Sequence, residues 1–137
     1  MKKVFFMVIF MTGLLDAYNV RACTGITLHT TDGFPITART IEWAAQPLRA
    51  MYVVVPRNHP QRSFLPDSTQ RGMRFSADYG YVGIAVERPE FLMQGINEAG
   101  LSAGLFYFPE YGEYQPYDEA YRSVSLSDMQ FVAWVLS

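Results

Sequence analysis

Hydrophobic and polar positions along this chain alternate in short stretches that are repeatedly broken by turn-forming residues. From Cys23 to His29 (CTGITLH) the text is rich in Thr and Ile, Thr31-Asp32-Gly33 is a strong turn signal, and Pro35 to Ile41 returns as a second run. This pattern predicts a β-hairpin with Cys23 at a strand end and Arg39 on the partner strand. Met51 to Val55 (MYVVV) is a β-branched run closed by Pro56, and Tyr79 to Glu87 is a further strand candidate loosened by two glycines. Residues 57–73 are polar, hold Pro60, Pro66 and Gly72, and carry no period, which predicts a surface loop. Asn97-Glu98-Ala99-Gly100 is turn text before a predicted strand over 101–108, and a tyrosine-rich stretch over 109–122 reads as a long aromatic loop. Ser127-Asp128-Met129-Gln130 matches a capping box, in which Ser and Gln satisfy each other's orphan backbone donors, and predicts a helix from Phe131 onward.

The amino terminus has a different pattern. Lys2 and Lys3 precede an apolar run from Val4 to Leu15, which is too short for the ~20 residues a membrane-spanning helix needs. Val20 and Ala22 then suit the −3 and −1 sites of a signal peptidase. The expectation is a signal peptide over 1–22, cleavage before Cys23, and a periplasmic or secreted product. Val20-Arg21-Ala22-Cys23 also partly resembles a lipobox, which keeps open a lipid-anchored form acylated at Cys23.

Composition narrows the function classes. Half of the 137 residues are hydrophobic and 15% aromatic, enough to build a core and to argue against disorder. Removal of 1–22 would leave scattered arginines as the only basic side chains and a net acidic chain. Nucleic-acid binding, which is driven by counterion release from a basic surface, is therefore not expected. His29 and His59 are isolated, so no metal is implied, and no glycine-rich phosphate loop or nucleophile elbow is present.

Cys23 is the only cysteine, and it stands immediately after the expected cleavage site. At a new N-terminus such a residue combines a thiol nucleophile with its own α-amine, whose pKa near ~8 lets it accept the thiol proton. Cys23-Thr24, Ala38-Arg39-Thr40-Ile41-Glu42-Trp43, Asn97-Glu98-Ala99-Gly100-Leu101 and Leu105-Phe106-Tyr107-Phe108-Pro109, in this order, resemble the choloylglycine hydrolases, which include bile salt hydrolases and penicillin V acylases.

The resemblance implies an α+β fold, the αββα sandwich of N-terminal-nucleophile hydrolases, of which residues 23–137 would be the N-terminal part with the C-terminal part absent. It implies Cys23 as nucleophile and Arg39 as the cation that favours its thiolate. Glu42 stands where many members have Asp, to hold the α-amine. Tyr107, with Trp43 and Phe106, is expected to line the substrate site. The implied reaction is hydrolysis of the linear amide of an N-acyl amine, such as a conjugated bile salt or penicillin V. No cofactor is implied, and the full-length form would be a homo-tetramer. A second function class also fits the residues, a non-catalytic exported or lipid-anchored β-rich module that binds an apolar ligand.

Overall fold

A computed structural model describes residues 23–42, 47–107 and 112–137 of the chain. The expected signal peptide and Trp43 fall outside these residues. The chain divides into two compact units, residues 1–45 and 46–137.

In the first unit, β1 (Gly25–His29) pairs antiparallel with β2 (Pro35–Arg39), in a register that sets Gly25 opposite Arg39 and Leu28 opposite Ile36. The turn closes as its sequence requires. Gly33 has φ 89°, a conformation that glycine adopts without a Cβ penalty. Thr30 accepts the Gly33 N–H on its carbonyl at 2.9 Å and the Phe34 N–H on its hydroxyl at 2.9 Å.

The second unit is built on a four-stranded antiparallel sheet. Its strands are β3 (Ala50–Val55), β6 (Tyr81–Val86), β7 (Leu92–Asn97) and β8 (Ser102–Gly104), in the order β3-β6-β7-β8. Strand alternation sends Val55, Tyr81, Ala85 and Leu92 to one face, where they form a core with Val132, Ala133 and Leu136 of helix α1 (Phe131–Leu136). The spacing 132, 133, 136 is one stripe of a helix, so α1 lies with that stripe down on the sheet. The other face aligns Tyr52 with Ile84 and Val54 with Val82 and Ile96, all exposed. One helical layer on one antiparallel sheet is the α+β class expected, and a sheet that is apolar on both faces is what the centre of an αββα sandwich requires.

Two expectations are corrected. Residues 57–73 are not all loop: β4 (Pro60–Arg62) pairs with β5 (Arg74–Ser76) in a short hairpin. The capping box does not form. Ser127 makes no side-chain cap and leads into a 3₁₀ turn over Asp128–Gln130. Gln130 is instead fully buried, where its Oε1 accepts the Phe64 N–H at 2.7 Å and its Nε2 donates to the Arg62 carbonyl at 3.2 Å. A buried main-chain N–H without an acceptor costs more than an unsatisfied cap at a solvated helix end, so Gln130 is drawn inward.

The Asn97 turn links the sheet to the helix. Asn97 is buried, its Oδ1 accepts the N–H groups of Ala99 and Leu101 at 3.1 and 2.9 Å, and its Nδ2 donates to the Leu136 carbonyl at 3.1 Å. Beside it, Glu98 accepts both the Arg57 guanidinium and the Gly80 N–H, which hold its carboxyl below the usual range, the arginine contributing more. Replacement Asn97→Ala deletes three hydrogen bonds at a buried position and is expected to lower stability by about 2–3 kcal/mol. Equilibrium denaturation measures this, and an unchanged midpoint would contradict the structural role.

Asp67 closes the loop before β5. The Thr69 hydroxyl and main-chain N–H, followed by Arg71, lower its pKa from 3.8 to about 2. A carboxyl with a depressed folded-state pKa stabilises the fold above its unfolded value and loses that contribution as pH falls through the folded one. The protection of the Thr69 amide, its exchange rate relative to that of an unstructured amide at the same pH, is therefore expected to fall from pH 4 to pH 2, and Asp67→Asn should remove that dependence. The same acid response in the variant would show that another group sets it.

Candidate active site

The hairpin of the first unit gathers three of the residues singled out by sequence. Cys23 precedes β1 by two residues, and Arg39 ends β2 directly opposite Gly25. Pairing extends past the strands: the Thr40 N–H donates to the Thr24 carbonyl at 2.9 Å, and the Thr24 N–H donates to the Thr40 hydroxyl at 3.1 Å. These two bonds bring Cys23 to the segment that follows Arg39, where its Sγ lies 3.9 Å from the main-chain carbonyl of Glu42. The contact is long and uses the carbonyl, while the Glu42 side chain is exposed. Cys23 and Arg39 are both half-buried. The Arg39 Nε donates to the Thr40 carbonyl at 3.2 Å, which fixes the guanidinium at the same end of the hairpin as the sulfur.

This arrangement follows from turn chemistry. A hairpin whose turn is set at 30–34 has one register, and that register makes residue 39 the partner of residue 25. That register puts the residue that bears the guanidinium at the hairpin end beside which Cys23 stands.

Phe106 and Tyr107 belong to the second unit. The strand predicted over 101–108 stops at Gly104, so Tyr107 lies beyond β8 on irregular backbone and is about half exposed. Sequence reading leaves Tyr114 among the loop tyrosines. The pKa of Tyr114 is raised by partial desolvation first and by the negative charge of Asp128 next, with a smaller contribution from Tyr107. No signal in the linear text separated Tyr114 from Tyr111, Tyr117 or Tyr121. Among the described residues, no group of three His, Cys, Asp or Glu side chains could hold a metal ion.

A family model described as linear amide C-N hydrolases, choloylglycine hydrolase family, matches residues 23–137. The chain belongs to the choloylglycine hydrolase family. The match spans both units, begins at Cys23, and agrees with the resemblance read from the motifs. A choloylglycine hydrolase acts on linear amide C–N bonds, so the coarse activity of the family is amide hydrolysis of a small molecule. No solved structure matches the chain.

Proposed function

We propose that the chain is exported, cleaved between Ala22 and Cys23, and hydrolyses the linear amide of an N-acyl amine with Cys23 as nucleophile. The observation that carries this reading is the hairpin register, which brings the residue at which the family match begins to the strand end that bears Arg39. Conjugated bile salts and phenoxyacyl penicillins are the substrate classes to test first.

The chemistry follows from the residues. The α-amine of Cys23 takes the thiol proton, and the thiolate, favoured by the Arg39 charge, adds to the amide carbonyl carbon. The tetrahedral intermediate collapses, the C–N bond breaks, and the proton held by the α-amine passes to the departing nitrogen. A thioester remains on Cys23. Water, deprotonated by the same α-amine, then attacks the acyl carbon, which releases the acid and regenerates the thiol. Glu42 is the carboxylate assigned to orient the α-amine, and Phe106, Tyr107 and Trp43 are assigned to the substrate wall.

The test is acid quenching of the full-length protein during turnover, followed by peptide mass analysis. An acyl adduct on the Cys23 peptide, blocked by prior alkylation with iodoacetamide, is the expected result. Amine release without any adduct at Cys23, or labelling of Cys23 with no loss of turnover, would overturn the assignment. The family match speaks against the alternative of a purely binding module, which predicts neither adduct nor release.

A further inference from the structure

We propose that the cleft lined by β3 and the β4–β5 hairpin binds a small organic monoanion, a carboxylate or sulfonate on an apolar body, through Arg62 and Arg74. The site lies in the second unit and uses neither Cys23 nor Arg39, so it does not depend on the proposed hydrolysis.

The hairpin register sets Arg62 directly opposite Arg74. Residues paired in this way project from one face with Cβ atoms about 5 Å apart, and like charges there repel. Among the described residues, neither arginine belongs to an ion pair that would offset this. Arg62 is half-buried and its guanidinium is held by neutral groups, the Arg71 carbonyl at 3.1 Å and the Gly72 carbonyl at 3.5 Å. Its own carbonyl accepts Gln130 Nε2 at 3.2 Å, which pins the strand beneath it. Arg74 is exposed. A fixed guanidinium beside an accessible one offers charged donors to an oxyanion at little cost in ordering.

Both arginines line one cleft of about 620 Å³, together with Val53, Val55, Pro89 and Glu90. That volume falls within the ~300–1,000 Å³ of small-molecule sites and exceeds what an inorganic oxyanion fills, and the valines and Pro89 supply the apolar wall for an organic body. Glu90 is the carboxylate of the cleft; it is half-buried, and its Oε1 accepts Gln70 Nε2 at 3.4 Å. Two arginines against one glutamate leave the lining one positive charge, with His59 counted neutral as an N–H donor. This charge matches a monoanion, while the Glu90 carboxylate disfavours a dianion.

Hydrogen exchange on the full-length protein, titrated with hexanoate, hexanesulfonate, 1-hexanol or sulfate, tests the site. Both hexyl anions are expected to slow exchange saturably at the amides of Gln61, Arg62 and Arg74 and to leave β7 unchanged, the tighter of the two showing which head group the site takes. Uncharged 1-hexanol, and sulfate, a dianion without an apolar body, should bind there at least about tenfold more weakly. Arg74→Gln is expected to weaken the hexyl anions about tenfold without lowering Tm, since it removes one of two opposed like charges, and Arg74→Lys to retain part of the affinity. Glu90→Gln should strengthen sulfate binding about three- to five-fold. Exchange at β4 and β5 unmoved by either anion, 1-hexanol or sulfate binding as tightly as the hexyl anions, Arg74→Gln with parental affinity, or sulfate binding unchanged in Glu90→Gln would each overturn the proposal. The readout is local and needs no turnover, so its failure is distinct from failure of the Cys23 assignment.

Discussion

Replacement Cys23→Ala in the mature enzyme is expected to lower kcat by at least about 10⁴-fold, with little change in stability. The two halves of this expectation have separate physical origins. Alanine keeps the α-amine and a small side chain at the proposed cleavage site, so the proposed processing should continue, but it removes the atom proposed to form the thioester. Cys23 lies outside β1 and is only half-buried, so truncating its side chain to a methyl group is expected to cost the fold little. Cys23→Ser is the more demanding variant. It retains a nucleophile and the same base, but a hydroxyl is far harder to ionise than a thiol, and a residual rate well below the parent is expected. Steady-state kinetics with thermal melting beside it decides the matter. A Cys23→Ala protein that still turns over at a tenth of the parental rate would place the nucleophile elsewhere.

Gly83→Ala is expected to cost about 2–4 kcal/mol, roughly 10 °C in Tm, although it adds a single methyl group. The added Cβ would stand 2.2 Å from the main-chain carbonyl of Gln94, 2.8 Å from Leu92 Cδ1 and 2.9 Å from the Gly95 Cα. Two of these three are backbone of the paired strand β7, which cannot rotate away as a flexible side chain can. The sheet must open or β6 must shift its register, and either displaces Ala85 and Tyr81 from the core under α1. Gly104→Ala is the matched control, because its Cβ would meet nothing nearer than 3.7 Å. A Gly83→Ala protein that melts with the parent would contradict the pairing of β6 with β7.

These two residues also mark what the linear text could reveal. The β1–β2 hairpin was legible because Thr31-Asp32-Gly33 fixes a local turn, and the proximity of Cys23 and Arg39 follows from counting back along the register. The Asn97 turn was legible for the same reason, since an Asx side chain bonds main-chain groups within a few residues. Its bond to Leu136, 39 residues away, was not. The β4–β5 hairpin was hidden because its three-residue strands are polar and opened by Pro60, and its pairing is stabilised by the distant bonds of Ser63 to Met73 and Ser127. Gln130 misled for a related reason: its sequence neighbours describe a cap, but the Phe64 N–H that it serves lies 66 residues away. The candidate site divides along the same line: the position of Arg39 follows from a local register, whereas the end of β8 at Gly104, which leaves Tyr107 on irregular backbone, has no local signal.

The identity of the first residue of the protein recovered from expressing cells tests the central claim, the proposed cleavage before Cys23, most directly. N-terminal sequencing with intact-mass analysis is predicted to find a chain that starts at Cys23 and carries an unmodified α-amine. A chain that starts at any other residue, or a Cys23 whose amine is acylated, would leave the thiol without its base and contradict the account.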